Sequence, residues 1–243
     1  MNLLFLHGYT QSGPSFSAKT KAVQKSLVKA LGPTTTLHFP TGPIRLSHSD
    51  IPDSSPRDPT LAEESEEPEE SFAWWRRSDA TGEYVGLPET LKFLSQYLDT
   101  HGPFAGVVGF SQGAALAAIL ASVLERGERP EGFATGHGGL RFAVCYSGFR
   151  APERYEQWYT PRIRTKVLNV IGSLDTVVEE ERTLALVKAC EGGEERVVYH
   201  PGGHYLPATK SMVGVLVGFI RSCTEEKEEE EEEEEETDVA SVL

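Results

Sequence analysis

Three side chains, far apart in the chain, have the types that nucleophilic acyl transfer needs. Ser111 lies in Gly109-Phe110-Ser111-Gln112-Gly113, Asp175 closes Gly172-Ser173-Leu174-Asp175, and His204 closes His200-Pro201-Gly202-Gly203-His204. A serine hydroxyl attacks a carbonyl only when a base takes its proton. An imidazole can do this near neutral pH, and a carboxylate holds that imidazole in the productive tautomer. Ser111, His204 and Asp175 are assigned to those three roles. A G-x-S-x-G match is common by chance, so the flanking elements must decide whether Ser111 sits on a strained elbow.

Residues 104–108 are apolar and bounded by Gly102-Pro103, which reads as a short buried strand. Residues 114–124 are rich in Ala and Leu without Gly or Pro, which reads as a helix. Gly109 and Gly113 suit the sharp turn between them. Ser111 then stands at a helix N-terminus, where unpaired N–H groups and the helix dipole favour developing negative charge. Further strands are expected at 3–6, 35–39, 141–147, 166–171 and 196–200, and further helices at 16–31, 88–98, 177–190 and 206–223. This alternation predicts βαβ units and a six-stranded, mostly parallel sheet flanked by helices. In such sheets chemistry gathers past the carboxyl ends of strands. The chain order Ser, Asp, His, each just past a strand, is that of the α/β-hydrolase fold.

Each assignment has a rival. Asp175 could start the next helix, although Thr176 with Glu179 already forms a capping box; it could also share both duties. His200 competes as base, but it ends a strand, whereas His204 follows Gly202-Gly203 in a loop free to bend over the strand ends. His137 sits in Gly136-His137-Gly138-Gly139, which resembles a glycine-rich oxyanion motif but precedes a strand and reads as a turn. The oxyanion hole needs two preorganised N–H donors. Gln112 supplies one and Tyr9 the other, with Thr10 as second choice and His7 as a brace for that loop. Phe72, Trp74 and Trp75 have two roles open to them. Trp74 and Trp75 could bind substrate as an apolar wall for an acyl chain, or plug the core beneath a long loop.

The chain has 243 residues and a formal charge of -14. Residues 224–243 contribute a net eleven of those negative charges, and the run 63–70 holds six more Glu, so the remainder carries a small positive balance. Like-charge blocks repel themselves and stay solvated, so the tail reads as disordered and 63–70 as an acidic insertion. The expected organisation is one hydrolase domain over 1–223, with 40–86 as a variable loop or lid. A near-neutral body excludes the electrostatic footprint of nucleic-acid binding. Cys145, Cys190 and Cys223 are odd in number and lack C-x-x-C spacing, which argues against a disulfide framework and against a metal site. The apolar stretch at 3–6 is too short for a signal-peptide core, and no run is long enough to span a membrane, so a cytoplasmic protein is expected.

Read together, LFLHGYTQSG (4–13), FAWWRRSD (72–79), YVGLPETLKFL (84–94), GVVGFSQGAALAAIL (106–120), FAVCYSGF (142–149), VLNVIGSLDTVV (167–178) and HPGGHYLP (200–207) resemble the fungal serine hydrolase family of small α/β-hydrolases. The resemblance implies a Ser-Asp-His hydrolase acting on a small carboxylic ester or an acyl thioester, without metal or cofactor. Fungal members include thioesterases that release polyketide chains from synthase carrier domains in secondary metabolism, and others are short-acyl carboxylesterases. The glutamate tail and the 63–70 insertion depart from the family pattern. A noncatalytic ligand-binding module on the same fold is the alternative from another class.

Overall fold

The computed structural model describes residues 1–51 and 70–241, with side chains to residue 225. In chain order its strands and α-helices are β1 (Asn2–Leu6), α1 (Gly13–Lys19), α2 (Lys21–Leu31), β2 (Thr36–His38), β3 (Ile44–Arg45), β4 (Phe72–Ala73), β5 (Arg76–Arg77), β6 (Tyr84–Val85), α3 (Leu87–His101), β7 (Gly106–Phe110), α4 (Gln112–Glu125), β8 (Phe142–Tyr146), β9 (Lys166–Gly172), α5 (Glu180–Lys188), β10 (Val197–His200) and α6 (Lys210–Ser241).

Six strands form one sheet in the order β10-β9-β8-β7-β1-β2, every pairing parallel. Parallel strands need crossovers, and helices on both faces then bury the strands on both sides. The β1 run shows the consequence: Leu4 and Leu6 join one core with α3 and α4, while Leu3 and Phe5 join the other with α1, α2 and α6. Helix α4 is buried along nearly its whole length, which its alanines permit by letting it lie close to the sheet. From β1 the chain winds outward to β2, and from β7 it winds the opposite way. The carboxyl ends of β1 and β7 therefore flank the crevice where such sheets bind ligands.

Several boundaries differ from the sequence reading. The helix expected over 16–31 is two helices meeting at Thr20, whose Oγ1 donates to the Phe16 carbonyl at 2.7 Å. The first begins earlier than expected, because Ser12 and Ser15 form a capping box with Pro14 in the first turn. The helix expected from 177 starts at Glu180, and Glu179 caps it without a side-chain bond. The Thr176–Glu179 capping box does not form. The segment expected as a loop contains two short antiparallel ladders, Ile44 opposite Ala73 and Arg76 opposite Val85. Of the 63–70 run only Glu70 lies within the described residues, paired with Arg45 at 2.7 Å on the surface. Helix α6 starts after Pro207 and continues as helical backbone through the glutamate run to Ser241. Glutamate is a good helix former, so the run can extend a helix already nucleated by packed residues such as Leu216 and Ile220.

Candidate active site

The elbow at Ser111 is set by what surrounds the two glycines. A Cβ on Gly109 would lie 2.2 Å from the Gly113 carbonyl oxygen, and one on Gly113 would lie 2.1 Å from that of Leu6. Those contacts involve backbone, which cannot swing aside as a side chain can. Strand β7, helix α4 and the end of β1 are thus pressed together, and Ser111 takes the strained conformation φ 54, ψ -116. Its N–H donates to the Tyr146 carbonyl at 2.8 Å, fixing the turn against β8.

His204 reaches over the strand ends as expected. Its Nε2 lies 3.0 Å from Ser111 Oγ and its Nδ1 lies 2.8 Å from Asp175 Oδ2. A carboxylate only accepts, so the proton sits on Nδ1 and the Nε2 lone pair faces the serine hydroxyl. The His204 ring also packs on Phe110, with centroids 4.8 Å apart. His200 is buried at the end of β10, where its carbonyl accepts from Ser173 N–H, and does not meet Ser111. Burial pushes the His200 pKa down, partly countered by the negative charge of Asp175.

Asp175 faces His204 and also bonds the backbone that follows it, but it does not start α5, whose N-cap is Glu179. Oδ1 accepts the N–H groups of Val177 and Val178, each at 2.9 Å, while Oδ2 serves His204. These bonds hold the Val177 and Val178 N–H groups in a bend ahead of α5, which accounts for its late start. Burial opposes ionisation of the carboxyl, but hydrogen bonding from Val178, His204 and Val177 and the nearness of the Ser147 hydroxyl outweigh it, so its pKa is lowered.

Loop 7–10 meets the start of α4, since the carbonyls of Leu6 and His7 lie against Gly113. His7 is the brace expected: its Nε2 accepts the Gly42 N–H at 2.9 Å and its Nδ1 donates to the Gly8 carbonyl at 2.8 Å. The Gly42 bond needs the neutral ring, and burial, opposed by the Gly8 carbonyl, lowers its pKa to about 4. Thr10, at φ 67, shapes the loop, and Tyr9 anchors it by donating its hydroxyl to the Asp50 carbonyl at 2.8 Å.

Trp74 and Trp75 correct the substrate-wall reading. They are 0% and 2% exposed, so neither presents a face to a ligand. Trp74 Nε1 donates to the His7 carbonyl at 2.8 Å, and Trp75 stacks on Tyr84 at 4.5 Å. Both belong to the core formed with α3 and α4. The side chain of Gln112, which the sequence did not single out, ties the 40–86 segment to the elbow: Oε1 accepts Trp74 N–H at 2.9 Å and Nε2 donates to the Trp75 carbonyl at 2.8 Å. His137 is structural, accepting Phe104 N–H at 2.8 Å.

Comparison with known proteins agrees with this architecture. Residues 1–216 match the family described as Serine hydrolase (FSH1). The budding yeast protein named Family of serine hydrolases 2 is 33% identical over 231 residues, which cover 92% of this chain and 99% of that protein. A fission yeast protein named Dihydrofolate reductase is 37% identical over 209 residues, 85% of this chain, but the match spans only 44% of that longer protein. Among solved structures, maize acyl-protein thioesterase 2 shares the fold at a TM-score of 0.59 and 20% identity, covering 91% of this chain and 93% of that one. The sheet order, the elbow and the extent of the family match together place this chain in the FSH1 serine hydrolase family.

Proposed function

We propose that the protein hydrolyses a carboxylic ester or acyl thioester through an acyl-enzyme on Ser111. The observation that carries this reading is the continuous relay from Ser111 Oγ to His204 at 3.0 Å and from His204 to Asp175 at 2.8 Å. His204 takes the hydroxyl proton as Ser111 attacks the carbonyl carbon, and the imidazolium gives it to the departing alkoxide or thiolate. Water then repeats the exchange and frees the acid. The Tyr9 and Gln112 N–H groups receive the oxyanion in both steps. A noncatalytic module has no need of an aligned relay.

Three large apolar side chains stand exposed next to triad members: Leu174 at 70%, Val177 at 61% and Tyr205 at 52%. They favour an apolar acyl or alcohol group over a small charged one. Within this class the finer reading is release of an acyl or polyketide chain from a carrier thioester, supported by the motif resemblance to fungal members; a short-acyl carboxylesterase is the competing reading. A reducing, cytoplasmic setting fits three free cysteines, all buried. Among the described residues no helix is long and apolar enough to cross a membrane.

The test is turnover of acyl esters and acyl thioesters of graded chain length, including a carrier-bound thioester. Turnover lost in His204→Ala and kept in His200→Ala supports the triad; the reverse overturns it. Preference for long carrier-bound thioesters supports chain release, and preference for short soluble esters contradicts it.

A further inference from the structure

Among the described residues three non-glycine residues hold a positive φ: Thr10 at 67°, Ser111 at 54° and Ser147 at 49°. Each stands beyond the carboxyl end of one of three neighbouring strands, β1, β7 and β8. Backbone strain of this kind persists where the surrounding structure over-determines it, and it clusters at functional sites. Thr10 shapes the oxyanion loop and Ser111 is the elbow. Ser147 lies outside the hydrogen-bonded line from Ser111 through His204 to Asp175.

The backbone alone does not call for a serine there. Glycine adopts such a φ without strain, and the Ser147 N–H bond to the Val170 carbonyl, 2.9 Å, would survive the exchange. What serine adds is a hydroxyl. It is buried, in a residue only 2% exposed, and closes no hydrogen bond of ordinary geometry. Buried hydroxyls are rarely left so. Yet it stands near enough to Asp175 to favour the ionised carboxylate. The carboxylate accepts three hydrogen bonds, two at Oδ1 and one at Oδ2. Two carboxylate oxygens offer about four acceptor sites, so one more donor can be taken. Catalytic hydrogen bonds that are loose in a free enzyme commonly tighten during reaction.

We propose that Ser147 is a positioning residue of the triad: its hydroxyl donates to the Asp175 carboxylate and holds it aimed at Nδ1–H. This rests on the triad reading above. No bond to Ser147 forms or breaks, its proton stays on Oγ, and the residue does not touch substrate. Asp175 is also faced by two titratable rings, His204 through its hydrogen bond and His200 through its electrostatic influence. Losing the Ser147 donor leaves the carboxylate more basic, so the imidazolium is held more tightly. The acid limb of the rate profile, which reports that ionisation, should move to higher pH.

The experiment compares wild type, Ser147→Gly and Ser147→Ala for ester hydrolysis across pH 5 to 9, with urea midpoints to verify folding. Ser147→Gly keeps the backbone conformation and removes only the hydroxyl. Expected for both variants is a fall in kcat of roughly ten- to a hundredfold, the size of a hydrogen bond to a charged group, with KM little changed and the acid limb displaced upward. Three results would overturn the proposal. Ser147→Gly retains wild-type kcat and acid limb; Ser147→Gly is normal while Ser147→Ala fails, which assigns the effect to backbone; or kcat falls in a folded Ser147→Gly without movement of the limb. Fluorophosphonate labelling of wild type separates this from failure of the triad itself. Wild type that labels on Ser111 beside a normal Ser147→Gly refutes this inference alone, whereas wild type that neither labels nor hydrolyses refutes the triad reading.

Discussion

Acidification should weaken the protein through His7, well before the carboxylates protonate. The ring is 0% exposed, and both nitrogens are engaged as the neutral form requires, with Gly8 and Gly42. Its pKa falls from 6.5 in the open chain to about 4 in the fold, chiefly through burial. The sign follows directly: the folded state resists the proton that the unfolded chain accepts, so stability is full above pH 6.5 and falls as pH drops toward 4. At 1.36 kcal/mol per unit, the difference corresponds to about 3 kcal/mol. That is a large fraction of the 5–15 kcal/mol typical of a domain. His38 and His200 are also lowered and add slope of the same sign, so the His7 part must be isolated by difference. Urea denaturation of wild type and His7→Gln at pH 7.5 and pH 4.5 does so. The variant should be weaker at pH 7.5, and most of its deficit, about 3 kcal/mol of relative change, should vanish at pH 4.5. Parallel loss of stability in the two proteins would refute the reasoning, because His7 would then titrate alike folded and unfolded.

Other perturbations have equally definite outcomes. Gln112→Leu strands a buried N–H and a buried carbonyl of the 74–75 backbone and should cost about 2–5 kcal/mol in urea unfolding; a loss below about 1 kcal/mol would show that the clamp is idle. Asp175→Asn keeps an oxygen for Val177 and Val178 but sets the wrong tautomer on His204, so kcat should fall on the order of 10⁴-fold with the urea midpoint nearly unchanged, and a small fall in kcat would deny Asp175 its orienting role. Trp74→Phe removes the donor to the His7 carbonyl and should lower stability by about 1–3 kcal/mol without altering acyl-chain preference; a changed preference would restore the tryptophan to the substrate wall.

The meeting of Ser111, His204 and Asp175 was legible because it is carried by residue types at strand ends. Apolar strands announce where the carboxyl edge lies, and Ser111, Asp175 and His204 are the polar residues of the right kind just beyond it. His204 was separable from His200 because Gly202-Gly203 frees one and the strand holds the other. Contacts that cross the chain left no local trace. The Gln112 clamp joins residues 37 and 38 positions apart, and nothing near Gln112 marks its amide as anything but surface. Trp74 and Trp75 illustrate the same limit from the opposite side, since a tryptophan pair beneath a long segment suits a core or a ligand equally until the indole finds its acceptor. The break at Thr20 and the late start of α5 arise from side chains bonding backbone, Thr20 to Phe16 and Asp175 to Val177 and Val178. Such local competition is invisible to apolar periodicity.

The central claim is that Ser111 is a nucleophile activated by His204. Reaction with a fluorophosphonate, followed by mass spectrometry of the digested chain, tests it most directly. One adduct per chain is predicted, on the peptide bearing Ser111, with labelling abolished in Ser111→Ala and slowed by orders of magnitude in His204→Ala. Wild type that remains unlabelled, or an adduct that persists at full rate in Ser111→Ala, would contradict it.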